Sequence, residues 1–307
     1  MEVIMAHGVR TEGTSICADV CKGLGMTSTR KRGSLEDYEQ ETFSHGGKER
    51  TVWRRGSGPA VIVMAEMPGI SPLVLGFADR LVDMGLTAVV PHLFGEPGRE
   101  PMSGGKLGAA RYLAESLVPV CINREFNVLA LGKSSPVIDW LRALAIREHE
   151  RCGGPGVGAI GMCFTGGFAL AMSTIPTVVA PVLAQPSLPF AVSKARSSSI
   201  DISDADLEVV AGRCAKGDLQ VVGLRFEGDR MVPRSRFDFL RQKLGDAFIA
   251  VELADASANP GVMGSPHSTL TDGLLEEPGN ATYDGLQKVL EHFRSNLLPD
   301  GASARPV

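Results

Sequence analysis

The stretch from Ala159 to Gly167, AIGMCFTGG, sets one cysteine between an apolar run and a pair of glycines. Gly161 stands two residues before Cys163, and Phe168 to Met172 continue with helix-forming residues. A strand, a sharp turn and a helix in that order form a nucleophile elbow. It holds one side chain exposed above a sheet, and small flanking residues relieve the crowding of the turn. A thiol so placed needs a base within hydrogen-bond reach, and the base needs an acceptor that fixes its tautomer. His267, in GSPHS, lies in a Gly/Pro/Ser loop after the last apolar run, and Asp229, in FEGDRMVP, lies in a turn after another such run. Together the three residues suit attack of a thiolate on an acyl carbonyl, with the imidazole carrying the proton.

Each of these residues also has a plain structural reading. Cysteine is often buried as a small hydrophobe, and aspartate is a common turn former. The position two after Cys163 holds Thr165, where the usual elbow has glycine; Gly166 and Gly167 follow one place later. What favours catalysis is the combination: three suitable residue types, each after its own strand, in the order nucleophile, acid, histidine. Asp255 and Asp272 are the alternative acids for His267. Cys17 and Cys21 sit four apart, but no second close pair of Cys or His completes a tetrahedral zinc site, so they read as inert.

The elements that must position these groups are visible as short apolar runs alternating with helical periodicity, the pattern of a parallel sheet covered by helices on both faces. Strands are expected at Ala60–Ala65, Thr87–Pro91, Val157–Ile160, Val178–Leu183, Leu219–Phe226 and Ala247–Leu253. Helices are expected from Leu73 to Met84, after Ser135-Pro136, after Cys163, and around Leu286, Val289, Leu290 and Phe293. Residues 1–50 read as a polar extension with an edge strand, residues 51–298 as one domain, and residues 299–307 as a tail. Phe94–Lys106 and Ser187–Ser203 lack regular signal and are long enough to serve as lids or rims.

The chain has 307 residues, 44% of them hydrophobic, and a formal net charge of −4, which suits a globular protein and disfavours nucleic acid or an anionic membrane surface as partner. Small molecules are the expected partners, without membrane attachment, and the expected state is a monomer or small homo-oligomer. The six cysteines lack the spacing of a disulfide framework, and the N-terminus lacks the pattern of a secretory signal, so a cytoplasmic location with reduced thiols is expected.

AEMPGI after the first buried run, VVPHLFG after the second, GMCFTGG, GDRMVP and PHSTLT together resemble the dienelactone hydrolase family from about Thr51 to the last helix. The resemblance implies the α/β-hydrolase fold: a mostly parallel, doubly wound sheet with helices on both faces. It implies a carboxymethylenebutenolidase-like hydrolase of carboxylic esters or lactones, working through a Cys163–His267–Asp229 triad and a thioester, with no cofactor and no metal. It also assigns Glu66 as a carboxylate contacting and tuning the thiol, and the backbone amides of Met67 and Phe164 as the oxyanion hole. Two arginines hold the substrate carboxylate in the family; counting places Glu96 and Thr271 there instead. A carboxylated lactone would then need Arg99 or Arg111 as a substitute. The alternatives are a scaffold of this fold that binds a ligand or partner without catalysis, or an amidotransferase-like enzyme with a cysteine elbow. The latter requires a close His/Glu pair after the cysteine at a strand end, which this sequence lacks.

Overall fold

The computed structural model describes residues 30–122, 125–126, 134–262 and 264–298; Cys17 and Cys21 lie outside them. Eight strands form one sheet: β1 (Glu39–His45), β2 (Lys48–Arg55), β3 (Ala60–Met64), β4 (Thr87–Pro91), β5 (Val157–Met162), β6 (Val178–Ala184), β7 (Val221–Phe226) and β8 (Phe248–Leu253). Their order is β1-β2-β4-β3-β5-β6-β7-β8. β1 and β2 are antiparallel to each other, β2 is antiparallel to β4, and the strands from β4 across to β8 run parallel. The mostly parallel, doubly wound α/β-hydrolase fold expected from the sequence is the fold observed.

The apolar runs are continuous because both faces of the central strands are covered. On β3, Ala60, Ile62 and Met64 enter one core while Val61 and Val63 enter the other. The first core holds α3 (Val137–Cys152), α4 (Gly166–Met172), α6 (Asp204–Ala215) and α7 (Arg234–Leu244), which contribute Leu141, Phe168, Val210 and Phe237. The second holds α1 (Pro72–Asp83) and α8 (Ala281–Leu297), through Phe77, Leu81, Val289 and Phe293. α1 begins at an N-cap, Ser71, whose hydroxyl accepts the amide of Val74, with Pro72 in the first turn, where its missing N–H is harmless. The two remaining described helices are α2 (Gly105–Ile122) and the single turn α5 (Lys194–Ser197). α5 is the regular structure inside the segment read as a rim. Among the described residues, no helix is long and apolar enough to cross a membrane.

The polar segment before Thr51 is more than an edge strand. β1 and the first part of β2 form a hairpin that extends the sheet, so the sheet starts at Glu39. Its apolar side is sparse: Val52 and Trp53 are buried, whereas most of β1 is exposed, which suits a sheet margin. Ahead of it, residues 30–33 form a strap over α1. The Gly33 amide donates to the Pro72 carbonyl at 2.9 Å, Arg30 binds the carbonyl and carboxylate of Asp272, and the Lys31 amide donates to Glu276. Arg32 pairs with Glu100 in the segment ahead of α2.

The chain winds from β3 outward to β4, then crosses back to place β5 on the other side of β3. The C-terminal ends of β3 and β5 are therefore the point where winding reverses, and loops splaying apart there leave a crevice. Glu66 and Met67 follow β3, and Cys163 follows β5.

Candidate active site

The turn at Cys163 is compressed. Cys163 has φ 53°, in the left-handed region that a non-glycine residue rarely adopts, as expected where surrounding structure holds a nucleophile in a strained turn. At Gly161 an added Cβ would lie 2.0 Å from the Thr165 carbonyl oxygen, so no side chain fits there. At Gly166 it would lie 2.5 Å from Cα of Pro186, in the segment after β6. The glycine requirement therefore falls at 166, while position 165 has a different task. The Thr165 hydroxyl accepts the Met162 amide at 2.9 Å and faces the carbonyls of Met64 at 3.0 Å, Met162 at 3.0 Å and Ala65 at 3.2 Å. Threonine in place of the usual glycine is thus a fully buried clamp between the ends of β3 and β5.

Nδ1 of His267 lies 2.6 Å from Oδ2 of Asp229, whose other oxygen accepts the Met231 amide at 2.8 Å. The alternative acids are engaged elsewhere: Asp255 accepts the Gly228 amide and braces the turn that carries Asp229, and Asp272 pairs with Arg30. Nε2 of His267 has no hydrogen-bond partner of normal geometry, yet the Cys163 sulfur is near enough to act on the ring. Burial alone would lower the pKa of this imidazole. Negative charge on Cys163 and the bond to Asp229 outweigh that effect and hold it well above the ordinary value of 6.5. Cys163 itself is 6% exposed, and its Sγ lies 3.4 Å from the Ser187 hydroxyl.

Glu66 is 8% exposed at the floor of the crevice, and its hydrogen bonds go to neighbours other than the sulfur. Ser268 donates to it at 2.6 Å, the Gln185 amide group donates at 3.1 Å, and Thr271 donates as well. Burial raises the Glu66 pKa against these donors, which pull it down. The carboxylate is thereby tied to the loop that carries His267. The amides expected to form the oxyanion hole, those of Met67 and Phe164, are taken up by no turn or loop hydrogen bond of the described residues.

Two site residues carried no signal in the sequence. Gln185 follows β6 with φ 37°, is fully buried, and spans the floor: its carbonyl oxygen accepts from the amide and hydroxyl of Thr269 while its NH2 reaches Glu66. Ser187, also fully buried, donates its amide to the Cys163 carbonyl at 2.9 Å. Arg236 holds the segment that carries Ser187. Its buried guanidinium donates to the carbonyls of Pro186, Pro189, Arg196 and Ser199, and burial lowers its pKa to about 10. Glu96 is exposed and pairs with Arg99 at 2.9 Å, and Arg111 pairs with Glu115 at 2.6 Å. Both arginines that could replace the missing pair thus already face carboxylates. Among the described residues, no group of three or more His, Cys, Asp or Glu side chains is arranged to hold a metal ion.

The fold and the crevice define an α/β-hydrolase. A sequence profile of the dienelactone hydrolase family matches residues 50–211, more than half of the chain, and the chain belongs to that family. The match contains Glu66 and Cys163 and ends before Asp229 and His267. Similar solved structures include a protein assigned as a dienelactone hydrolase from Klebsiella pneumoniae, with a TM-score of 0.53 and 18% identity over 83% of this chain and 97% of that one. A dienelactone hydrolase-like promiscuous phosphotriesterase from metagenomic libraries gives a TM-score of 0.51 and 15% identity, covering 85% of this chain and 98% of that one. At these identities the likeness is one of fold. No curated protein matches the sequence.

Two measurements check this geometry. Thr165→Val keeps the shape but strands the Met162 amide and a carbonyl, so denaturant unfolding should show a loss of about 2–4 kcal/mol, with Thr165→Ser much nearer the wild type. In Cys163→Ala the His267 ring loses the strongest influence raising its pKa, so its NMR titration should move to lower pH; an unchanged midpoint would contradict the coupling. Because the folded-state value lies above the unfolded one, the stability that His267 contributes is full below about pH 6.5 and is lost as pH rises through the folded value. That loss should be smaller in the variant and complete at lower pH.

Proposed function

We propose that this chain hydrolyses ester or lactone bonds through a thioester on Cys163. The observation that carries the reading is a thiol held in a strained elbow turn, facing a histidine whose other nitrogen is bound to a buried aspartate. The Cys163 sulfur attacks the acyl carbon while His267 holds the thiol proton, and the carbonyl oxygen becomes an oxyanion that the Met67 and Phe164 amides can receive. The C–O bond then breaks, and His267 gives its proton to the departing alkoxide, leaving the thioester. Water attacks next: His267 takes a proton from it, the C–S bond breaks, and the thiol is restored as the carboxylic acid leaves. From a lactone, both parts leave as one hydroxy acid. Asp229 keeps Nδ1 protonated and steadies the imidazolium. Glu66, the family's carboxylate near the thiol, acts here through Ser268 and Thr271 on the loop that carries His267.

The substrate class follows from charge. Glu96 and Thr271 stand where the family has carboxylate-binding arginines, Thr271 donates to Glu66, and Arg99 and Arg111 are paired with acids. Those exposed ion pairs are individually weak, but a substrate carboxylate would have to displace Glu96 or Glu115 to use them. The reading is therefore of neutral esters or lactones.

A screen of short esters and lactones should show that Cys163→Ala removes turnover while circular dichroism stays unchanged. Asp229→Asn should lower kcat by roughly ten-thousandfold, as the same change does in a serine triad. A loss below about tenfold would assign the orienting role to another group. For a neutral lactone and its carboxylated analogue, kcat/KM should favour the neutral compound by about tenfold or more, the worth of one lost charge-assisted bond, and Glu96→Arg should narrow the gap. A wide wild-type preference for the acid would refute the substrate assignment and leave the chemistry intact.

A further inference from the structure

Ser187 is wholly buried, and its Oγ lies 3.4 Å from the Cys163 sulfur, within reach of a hydrogen bond to an atom of that size. The sulfur is the one hydrogen-bond partner of that hydroxyl among the described residues. The contact is built into the turn. The Ser187 amide donates to the Cys163 carbonyl at 2.9 Å, and the carbonyls of Pro186 and Pro189, on either side of Ser187, both accept from the Arg236 guanidinium. Pro186 also closes on Gly166, where no side chain would fit. The serine is therefore fixed against the elbow before any substrate arrives.

Either atom of an O–H···S contact can supply the proton, and two constraints choose the hydroxyl. A buried hydroxyl needs an acceptor for its proton, and the sulfur is the acceptor at hand. The second constraint is charge. Cys163 is buried in the same apolar core as Phe94, Phe126 and Phe164, so water does little to solvate its sulfur, and a thiol there resists ionising unless donors replace the water. One donor is His267. Its Nδ1 proton is held by Asp229, so a proton taken from the thiol goes to Nε2, which makes no other hydrogen bond among the described residues. The remaining charged groups around the turn are committed elsewhere: Glu66 to Ser268, Thr271 and Gln185, Arg236 to backbone carbonyls, and Asp201, packed on Gly167, to Ser135. Ser187 is left as the second donor.

We propose that Ser187 is a catalytic residue, donating a hydrogen bond to Cys163 Sγ and, together with His267, holding that sulfur as a thiolate. Ser187 keeps its own proton throughout. When the C–S bond forms, the sulfur electron pair enters the bond, the carbonyl pair moves onto oxygen, and the hydrogen bond weakens. When hydrolysis breaks the C–S bond, the pair returns to sulfur and the hydrogen bond regains its strength. The serine thus favours departure of the sulfur from the thioester more than its attack. Naming that reaction rests on the hydrolase reading, whereas the state of the thiol does not.

The test is the rate of Cys163 alkylation by iodoacetamide across pH, read by mass spectrometry of the peptide that carries Cys163, in the wild type and in Ser187→Ala. Removing the donor should move the acid limb of the profile up by about one pH unit. It should also raise the plateau about two- to threefold, because a more basic thiolate is the better nucleophile. The two profiles then cross, whereas a merely loosened turn would scale the rate without moving the limb. If the Ser187→Ala protein does not fold, Ser187→Gly, which also lacks the hydroxyl, decides in its place. A limb that does not move makes the serine a filler, and a limb that moves down makes its hydroxyl the acceptor of the thiol proton; either result overturns the proposal. A limb that moves up, with no wild-type turnover of any ester or lactone, would sink the hydrolase reading and leave the role of Ser187 at the thiol standing; turnover with an unmoved limb would do the reverse.

Discussion

The whole site hangs on the contact between the ends of β3 and β5. Gly161 lets the backbone of Thr165 fold back to a distance that no side chain would permit, and the Thr165 hydroxyl then bonds to both strand ends. Without that closure the left-handed conformation of Cys163 would relax, since backbone strain persists only where surrounding contacts over-determine it. The strain is thus balanced by a buried hydroxyl. The same closure aligns Met67 and Phe164, which follow the two strands, so one local constraint places Cys163 and the amides proposed to receive the oxyanion.

A second layer of polar contacts surrounds this closure. Glu66, Gln185, Ser268, Thr269 and Thr271 form a hydrogen-bonded floor joining the loops after β3, β6 and β8. Arg236 does the equivalent for the segment after β6, meeting several carbonyls that would otherwise be buried without donors. These loops are irregular, so their backbone groups cannot pair as a ladder, and side chains take over that work. It follows that the crevice can be rigid although its walls are loops.

The central strands were legible in the sequence because burial on both faces writes an uninterrupted apolar run; β3, β4, β5, β6, β7 and β8 all fall within a residue or two of the expected spans. Cys163, Asp229 and His267 stood out because each follows such a run, and the structure brings Asp229 and His267 together. Their chemical roles remain part of the proposal. The hairpin was only half visible: β1 is a polar, exposed margin strand, and such a strand carries little periodic signal. Thr165 read as a defect since a motif records residue types but not the neighbouring strand whose carbonyls the hydroxyl meets. Gln185 and Ser187 gave no sign at all, because what makes them part of the site is a long-range approach to Glu66 and Cys163. The bonds of Glu66 to Ser268, Thr271 and Gln185 gave no sign either, because they are fixed by loops far away in the chain.

The strap and hairpin separate two notions of what the domain is. The stretch by which kinship is recognised runs from residue 50 to 211. The unit that closes its sheet runs from the strap at Arg30, which grips Asp272 four residues after Ser268, to α8. Kinship is thus recorded in the part of the chain that bears Cys163, whereas the described fold takes in a longer span whose first residues brace the loop of His267. The strap at Arg30 thus ties the loop of His267 to a segment 242 residues away in sequence, so the shape of that loop depends on residues far outside the matched stretch.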